Sequence, residues 1–363
     1  MVTSVDSSSA PRSMGAQNTC SGTIAVDIMG GDKGPEEILR GICLALKNDP
    51  SLEGIVAVGA DDVLDRFLAG EGKAYEGRLS VLKTSQVVDM NDKAVDAVKK
   101  KRDSSMMQAI DLVKSGNARA VLSCGNTGAL MAGGTIKLRP LAGVERPAIA
   151  TVIPCKGGHY VLLDSGANPD PDPEHLVHNA ILGSNYAEWG LEVENPRVGL
   201  LTIGTEEGKG NERTIATHAL LKQLDGVINY RGLIEGFQVY GGEVDVVVAD
   251  GFVGNILLKT SESLYKFLIE EIKAEVASSS WMRKLGALMM KGVFVDLKKR
   301  LSPEQYGGAP FLGLKGNVLK SHGSSNRFAI ASAIRIGVDL ARRDMIGHTH
   351  DDIEQANKIL ELS

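Results

Sequence analysis

RVGLLTIGTEEGKGNERT, Arg197–Thr214, decides how this chain folds. Its first eight residues form an apolar run without polar alternation, as expected of a strand covered on both faces. A turn with two glycines around Lys209 follows, and then a helical pattern over Asn211–Leu224. Strand, glycine turn and helix in that order is the repeating unit of an α/β sheet. A helix entered through such a turn offers unpaired N–H groups and the positive end of its dipole, which is an anion site. Lys209 adds a full charge. The turn therefore predicts a bound phosphate or a developing oxyanion, with Gly208, Gly210 and Asn211 around it.

The same unit recurs along the chain. Apolar runs lie at Thr23–Ile28, Gly54–Gly59, Leu79–Thr84, Ala118–Cys124, Ala148–Pro154, His159–Gly166 and Val244–Gly251, most of them separated by helical patterns. Pro35 sits near the start of one such helix, a position proline favours; another pattern covers Glu174–Glu188. The expectation is an α/β/α three-layer sandwich with a mostly parallel sheet. Only CKGG separates AIATVIP from HYVLLDSG, so these two read as a hairpin within the sheet. Ligands of open α/β sheets bind beyond the carboxyl ends of the strands. Polar and glycine motifs sit at five of those ends: MGGDKGP, SCGNTGALMAGG, DSGANPDPDPEH, GTEEGKGNE and DGFVGN. Each could equally be a tight packing turn, but a site assembled from several loops needs them together.

Composition narrows the class. With 363 residues, 43% hydrophobic and 23% charged, the chain reads as one large domain or two lobes around a cleft. Its net charge of −5 gives no reason to expect nucleic acid as a partner. Cys20, Cys43, Cys124 and Cys155 show no paired spacing, which excludes a zinc or disulfide framework and fits a reduced cytoplasmic setting. No apolar run approaches the ~18 residues of a membrane span. Residues 1–22, rich in serine and glycine, read as a disordered extension without a signal-peptide core.

No residue pair marks a nucleophile and its base. Cys124, beside Gly125 and Asn126, could be a thiol nucleophile, and His175 with His178 could begin a metal site, although no carboxylate spacing completes one. His322, in KSHGSSN, is either an active-site base or a loop-ordering residue. Asp27, Asp32, Asp164, Asp170, Asp172 and Asp250 could hold a divalent ion or could cap helices and fix loops. If phosphate is itself the nucleophile, positioning and oxyanion stabilisation suffice.

Taken together, AVDIMGGDKGPE, SCGNTGALMAGG, RPAIATVIP, LLDSGANPDPDPEHLVHNAILGS, NPRVGLLTIGTEEGKGNE, VDVVVADGFVGNILLKTSE and EQYGGAPFLGLKGNVLKSHGSSN resemble the bacterial phosphate acyltransferases of phospholipid synthesis. The motifs run in family order from about Thr23 to Val338. The resemblance implies that acyl–acyl-carrier protein and inorganic phosphate give acyl-phosphate and free carrier thiol. It implies a fold similar to phosphotransacetylases and isocitrate-type dehydrogenases, a homodimer, no metal and no required cofactor. It further implies hand-off of product to a membrane glycerol-3-phosphate acyltransferase. By position, Lys209 and Asn255 become the catalytic pair. Gly30, Gly31, Asp32, Asn126, Thr127, Gly128, Asn168, Gly208, Gly210, Asn211, His322 and Ser324 become the phosphate-binding set. Cys124 and Ser165 stand where the family has small or apolar residues. Residues 23–345 form the expected catalytic domain and 346–363 a C-terminal helix. Three rivals stay open: a phosphotransacetylase using short acyl-coenzyme A, a dehydrogenase needing NAD and a divalent ion, and a non-catalytic membrane scaffold.

Trp281–Arg300 is a different kind of sequence. Arg283, Lys284, Lys291, Lys298, Lys299 and Arg300 face Asp296 alone, a local charge of +5. Trp281, Leu285, Leu288, Met289 and Val293 recur at helical spacing. The segment reads as a peripheral membrane contact, a docking site for an acidic carrier protein, or a core helix with solvated lysines. Tyr186–Leu191 and the helices over 253–300 are candidate dimer surfaces.

Overall fold

Both faces of the strands are covered, and this explains the continuous apolar runs. In the first strand Ile24 and Val26 face one hydrophobic cluster and Ala25 the opposite one. In the seventh strand Val161 and Leu163 join the first cluster while Tyr160 and Leu162 enter a third. The period is two, but both sides are dry, so no polar alternation is left to see. The computed structural model describes residues 22–301 and 307–361. The extension expected over 1–22 falls, except for Gly22, outside the described residues.

The strands are β1 (Thr23–Asp27), β2 (Gly54–Gly59), β3 (Leu79–Lys83), β4 (Ala120–Ser123), β5 (Ala148–Ile149), β6 (Thr151–Cys155), β7 (Gly158–Leu163), β8 (Arg197–Thr202), β9 (Asn229–Glu235), β10 (Val246–Val248), β11 (Ala309–Leu312) and β12 (Asn317–Lys320). The α-helices are α1 (Pro35–Asn48), α2 (Asp61–Ala69), α3 (Ala94–Lys100), α4 (Ser105–Lys114), α5 (Thr127–Leu138), α6 (Pro173–Asn185), α7 (Glu212–Leu221), α8 (Gly251–Ser278), α9 (Trp281–Met289), α10 (Lys291–Leu301), α11 (Arg327–Arg342) and α12 (Met345–Leu360). The architecture is the expected mostly parallel α/β, with one correction. The strands form two sheets rather than one, in the orders β3-β2-β1-β4-β12-β11-β5 and β6-β7-β10-β8-β9. The run AIATVIP passes from one sheet to the other. Its first half pairs antiparallel with β11, through Ile149 and Phe311, and its second half pairs with β7. The hairpin predicted from CKGG is the β6–β7 pair.

Each sheet has a switch point. From β1 the chain builds outward to β2 and β3, then returns to place β4 on the other side of β1. In the second sheet β8 leads outward to β9, and β10 returns to the other side of β8. These reversals leave crevices at the carboxyl ends of the strands.

Two further segments find their places in the fold. Tyr186–Gly190 is a wide π-type turn continuing α6, with Leu191 as its C-cap. Tyr186 and Ala187 are buried, and Trp189 stacks on His348 with ring centroids 3.9 Å apart. Part of that segment therefore packs within the chain, while Glu188 stays exposed. The C-terminal helix α12 is part of the same body: His178 Nε2 lies 3.0 Å from Asn357 Oδ1, and Asn185 donates to Asp352 at 2.8 Å.

Candidate active site

Beside the first switch point, beyond the carboxyl end of β12, lies a cleft of about 390 Å³. Thr127 reaches it from the start of α5, Lys320, His322 and Ser324 from the end of β12, and Asn255 from the first turn of α8. Ile149, Thr151 and Ser165 line it where the two sheets meet. The cleft is therefore built by segments far apart in the sequence, on the rigid ends of strands.

Asn255 is held by backbone packing. Asp250 caps α8 by accepting from the Val253 amide at 2.8 Å. Gly254 then rests directly on the loop after β7, where an added Cβ would stand 2.0 Å from the carbonyl oxygen of Asp164. The buried Asp164 carboxylate orders that loop, accepting from the amides of Ile149, Gly166, Ala167 and Asn168.

Lys320 is a cleft-lining residue that the sequence reading missed. Its ammonium donates to the carbonyl of Cys124 at 3.2 Å and to that of Ser321. Desolvation pushes its pKa down, against the opposing pull of Cys124, Asp32 and Asp27. Asp27, 1% exposed, accepts from the Ser123 hydroxyl at 2.7 Å and the Met29 amide at 3.1 Å. Burial raises its pKa while those donors oppose the rise. The only available signal was a lysine ending an apolar run in NVLKSHGSSN, because lysine is rarely placed inward without a reason. His322 accepts through Nδ1 from the Ser324 amide at 3.2 Å and hydroxyl at 2.7 Å, which assigns the ring proton to Nε2. Desolvation, then Lys320 and Lys259, hold its pKa below 6.5.

Several predicted ligands are occupied by the protein itself. Asn126 caps α5 through the Ala129 amide at 3.0 Å, and its amide donates to the carbonyls of Asp89, Met90 and Asp92. Asn168 donates to the Pro147 carbonyl at 2.9 Å, and Asn211 caps α7 through the Thr214 amide at 2.8 Å. Gly30 packs on the β4 turn, since an added Cβ would meet the Gly125 nitrogen at 2.5 Å. Gly31 lies beside Ile38, and the amide of exposed Asp32 donates to the Gly323 carbonyl at 2.9 Å. Gly128 is exposed on the first turn of α5, next to Thr127.

Lys209 lies elsewhere. It is exposed on the turn between β8 and α7 and does not line this cleft. Gly210 and Asn211 line a separate concavity of about 500 Å³ at the second switch point, with Thr202, Asp250 and Val253. The first turn of α8 divides the two hollows: Val253 faces one and Asn255 the other. Gly208 and Gly210 adopt φ of 85° and 108°, which glycine accepts without strain.

A thiol nucleophile is disfavoured. Cys124 is 2% exposed and burial pushes its thiol up to about 12, so thiolate is scarce at neutral pH. Ser165 spends its hydroxyl on the Ile149 carbonyl at 2.9 Å and on Thr151. His175 lies 2.8 Å from Glu145 through Nε2 and closes the capping box of α6 with Asp172 through Nδ1. Asp170 pairs with Arg213. No group of three metal-capable side chains occurs among the described residues.

The core-helix alternative for the basic segment is overturned. It forms α9 and α10 beyond the end of α8, and no residue of α9 is buried. Trp281 is 74% and Met289 82% exposed, with Leu285, Leu288 and Val293 also open. Arg283 and Lys284 share α9 and are exposed as well. The side chains of Lys298 and Lys299 lie outside the described set. No helix among the described residues is long and apolar enough to cross a membrane.

The fold defines the class. A phosphotransacetylase from Streptococcus pyogenes matches with a TM-score of 0.62 over 88% of this chain and 94% of its own, at 16% identity. A branched-chain phosphotransacylase from Enterococcus faecalis matches at 0.56 over 88% and 99%, at 15% identity. At such identities the likeness establishes a phosphotransacetylase-type fold. The family model described as "Fatty acid synthesis protein" covers residues 22–348. The phosphate acyltransferase of Methylococcus capsulatus is 45% identical over 87% of this chain and 92% of its own length. That of Halothermothrix orenii is 41% identical over 92% and 98%. The chain belongs to the phosphate acyltransferase family, enzymes that transfer an acyl group to phosphate.

Proposed function

We propose that the chain carries a long acyl group from acyl–acyl-carrier protein to inorganic phosphate by direct attack of bound phosphate on the thioester. The observation that supports this best is the first cleft itself, which holds a desolvated cation, Lys320, and polar donors but no activated thiol. Phosphate needs no activation to be a nucleophile, only positioning and charge stabilisation. Asn255, Thr127 and His322 donate to phosphate and to the thioester carbonyl oxygen. Lys209, on the neighbouring turn, is drawn toward the bound anion and completes the charge balance. Incubation with palmitoyl–acyl-carrier protein, with and without phosphate, tests the reading through free thiol and hydroxylamine trapping. Phosphate-dependent thiol release matched by hydroxamate is the expected result. Release without phosphate would mean hydrolysis through the Ser324–His322 pair and would overturn it.

The phosphotransacetylase-type fold favours a second reading, a short acyl-coenzyme A as donor. Turnover of acetyl-coenzyme A in preference to the long acyl carrier would establish it.

We further propose that α9 and α10 lie on an anionic membrane surface, giving a cytoplasmic, peripherally bound enzyme that hands acyl-phosphate to a membrane glycerol-3-phosphate acyltransferase. The exposed apolar side chains of α8, among them Ile256, Leu264, Phe267 and Leu268, form the surface for a second copy. Leu288→Glu with Val293→Glu should abolish binding to anionic phospholipid vesicles and leave the sedimentation of the dimer unchanged. Persistent vesicle binding would remove the membrane reading.

A further inference from the structure

Lys320 does more in this geometry than supply a positive charge. An ammonium has three N–H donors. Two go to the carbonyls of Cys124 and Ser321, and no third partner occurs among the described residues. The remaining donor belongs to a nitrogen whose side chain lines the cleft. The charged and titratable groups around it are Asp27 at the end of β1, Asp32 in the next turn, Cys124 after β4 and His322 on its own loop. Lys259 and Glu262 line the same cleft from α8. Burial disfavours the ammonium more than Cys124, Asp32 and Asp27 favour it, so this ammonium gives up its proton more readily than an exposed one. An exposed lysine stays charged throughout the neutral range.

The reaction needs such a group. Monohydrogen phosphate carries a proton that acyl-phosphate does not, and the departing sulfur must gain one. We propose that Lys320 carries this proton from the attacking phosphate to the leaving thiol. As the phosphate oxygen bonds to the acyl carbon and the C–S bond breaks, the Lys320 ammonium protonates the sulfur. The resulting amine takes the P–OH proton of the bound phosphate. One proton moves from phosphate to thiol, with no change in total charge and no other reactant.

This inference rests on the acyl-transfer reading above, and the two fail in different ways. If acyl transfer is wrong, the wild-type protein shows no phosphate-dependent thiol release. If only the proton carrier is wrong, the wild type is active and the variants behave otherwise than follows. Lys320→Arg keeps the charge but cannot yield its proton at neutral pH. Lys320→Gln removes both. Each is assayed with palmitoyl–acyl-carrier protein and with a palmitoyl aryl thioester, whose acidic thiol leaves without protonation. General acid catalysis contributes about 10²–10⁴-fold. Both variants should therefore lose about that much on the carrier thioester and recover most of it, relative to wild type, on the aryl thioester. The alkaline limb of kcat/KM, present in the wild type with the carrier thioester, should be absent with the aryl one. The ratio of the two substrates on one preparation does not depend on how much of a variant folds. Equal losses on both thioesters, with a raised KM for phosphate, would make Lys320 a fixed charge clamp and overturn the proposal. So would near-wild-type activity of Lys320→Arg with the carrier thioester.

Discussion

Two lysines stand at the carboxyl ends of this protein's strands, and their surroundings differ. Lys320 ends β12, reaches buried carbonyls and sits among Asp27, Asp32 and Cys124. Lys209 rides an exposed glycine turn after β8. Two charges 4 Å apart interact by about 1 kcal/mol in water and about 4 kcal/mol at an effective dielectric of 20. A cation in the first cleft therefore acts strongly where it stands. A cation on the second turn acts strongly only once a bound anion or a docked carrier excludes water around it. The glycine motif marks where an anion can bind; burial decides how strongly the protein responds to it.

After the Lys320 variants, the largest effect that can break this comparison is on Lys209. Lys209→Ala should lower kcat/KM by about 10²–10³-fold if the bound anion recruits it, the usual cost of losing one oxyanion donor. Activity above about a tenth of wild type would leave Lys320 as the working cation and reduce Lys209 to a surface charge.

Next in size is the turn that carries Lys209. In Gly210→Ala the new Cβ would meet the Thr202 hydroxyl at 2.8 Å, at a φ of 108°. Overpacking of about 1–3 kcal/mol then adds to left-handed strain of about 1–2 kcal/mol. Gly208→Ala meets open space at a φ of 85° and should cost the strain alone. Urea midpoints would separate the two, and equal costs would show that the Thr202–Thr214 wall yields.

The pH dependence sharpens the cleft beyond β12. Burial, Lys320 and Lys259 depress His322, so its neutral form should persist below pH 6.5. Activity that needs a neutral Nε2–H donor is complete above that value and falls only as pH drops through the lowered pKa. His322→Gln, a neutral donor at every pH, should flatten this acid limb. An unchanged limb would assign it to phosphate or to another group.

The smallest effect expected is that of Cys124→Ala. A buried thiol raised to about 12 takes no chemical part, and the Lys320 contact uses the main-chain carbonyl, which alanine keeps. The loss in kcat/KM should stay under about tenfold, or about 1.4 kcal/mol. A thousandfold loss would restore the thiol as nucleophile.

Much of the fold was legible because its signals are local. Apolar runs, glycine turns and capping residues declare themselves within a few positions, and so α/β alternation and the strand-end motifs could be read directly. Asp172 and Asp250 cap helices as their positions allowed. Asn126, Asn168 and Asn211 show the limit of such reading. Their motifs identify loops at the strand ends, but their side chains are engaged with backbone groups, some more than 20 residues away.

By itself the sequence determined most of the strands, though not β9, β11 or β12, together with the family and the set of loops from which a site could be assembled. Only the tertiary structure decided that AIATVIP would divide between two sheets, because pairing depends on partners such as Phe311 and Tyr160, not on the run itself. It also decided that α9 would bury none of its residues in this chain and that Lys320, not Lys209, would be the desolvated cation. Desolvation is a non-local property. The carbonyl that anchors Lys320 lies 196 residues earlier in the chain, and no spacing within NVLKSHGSSN encodes that contact.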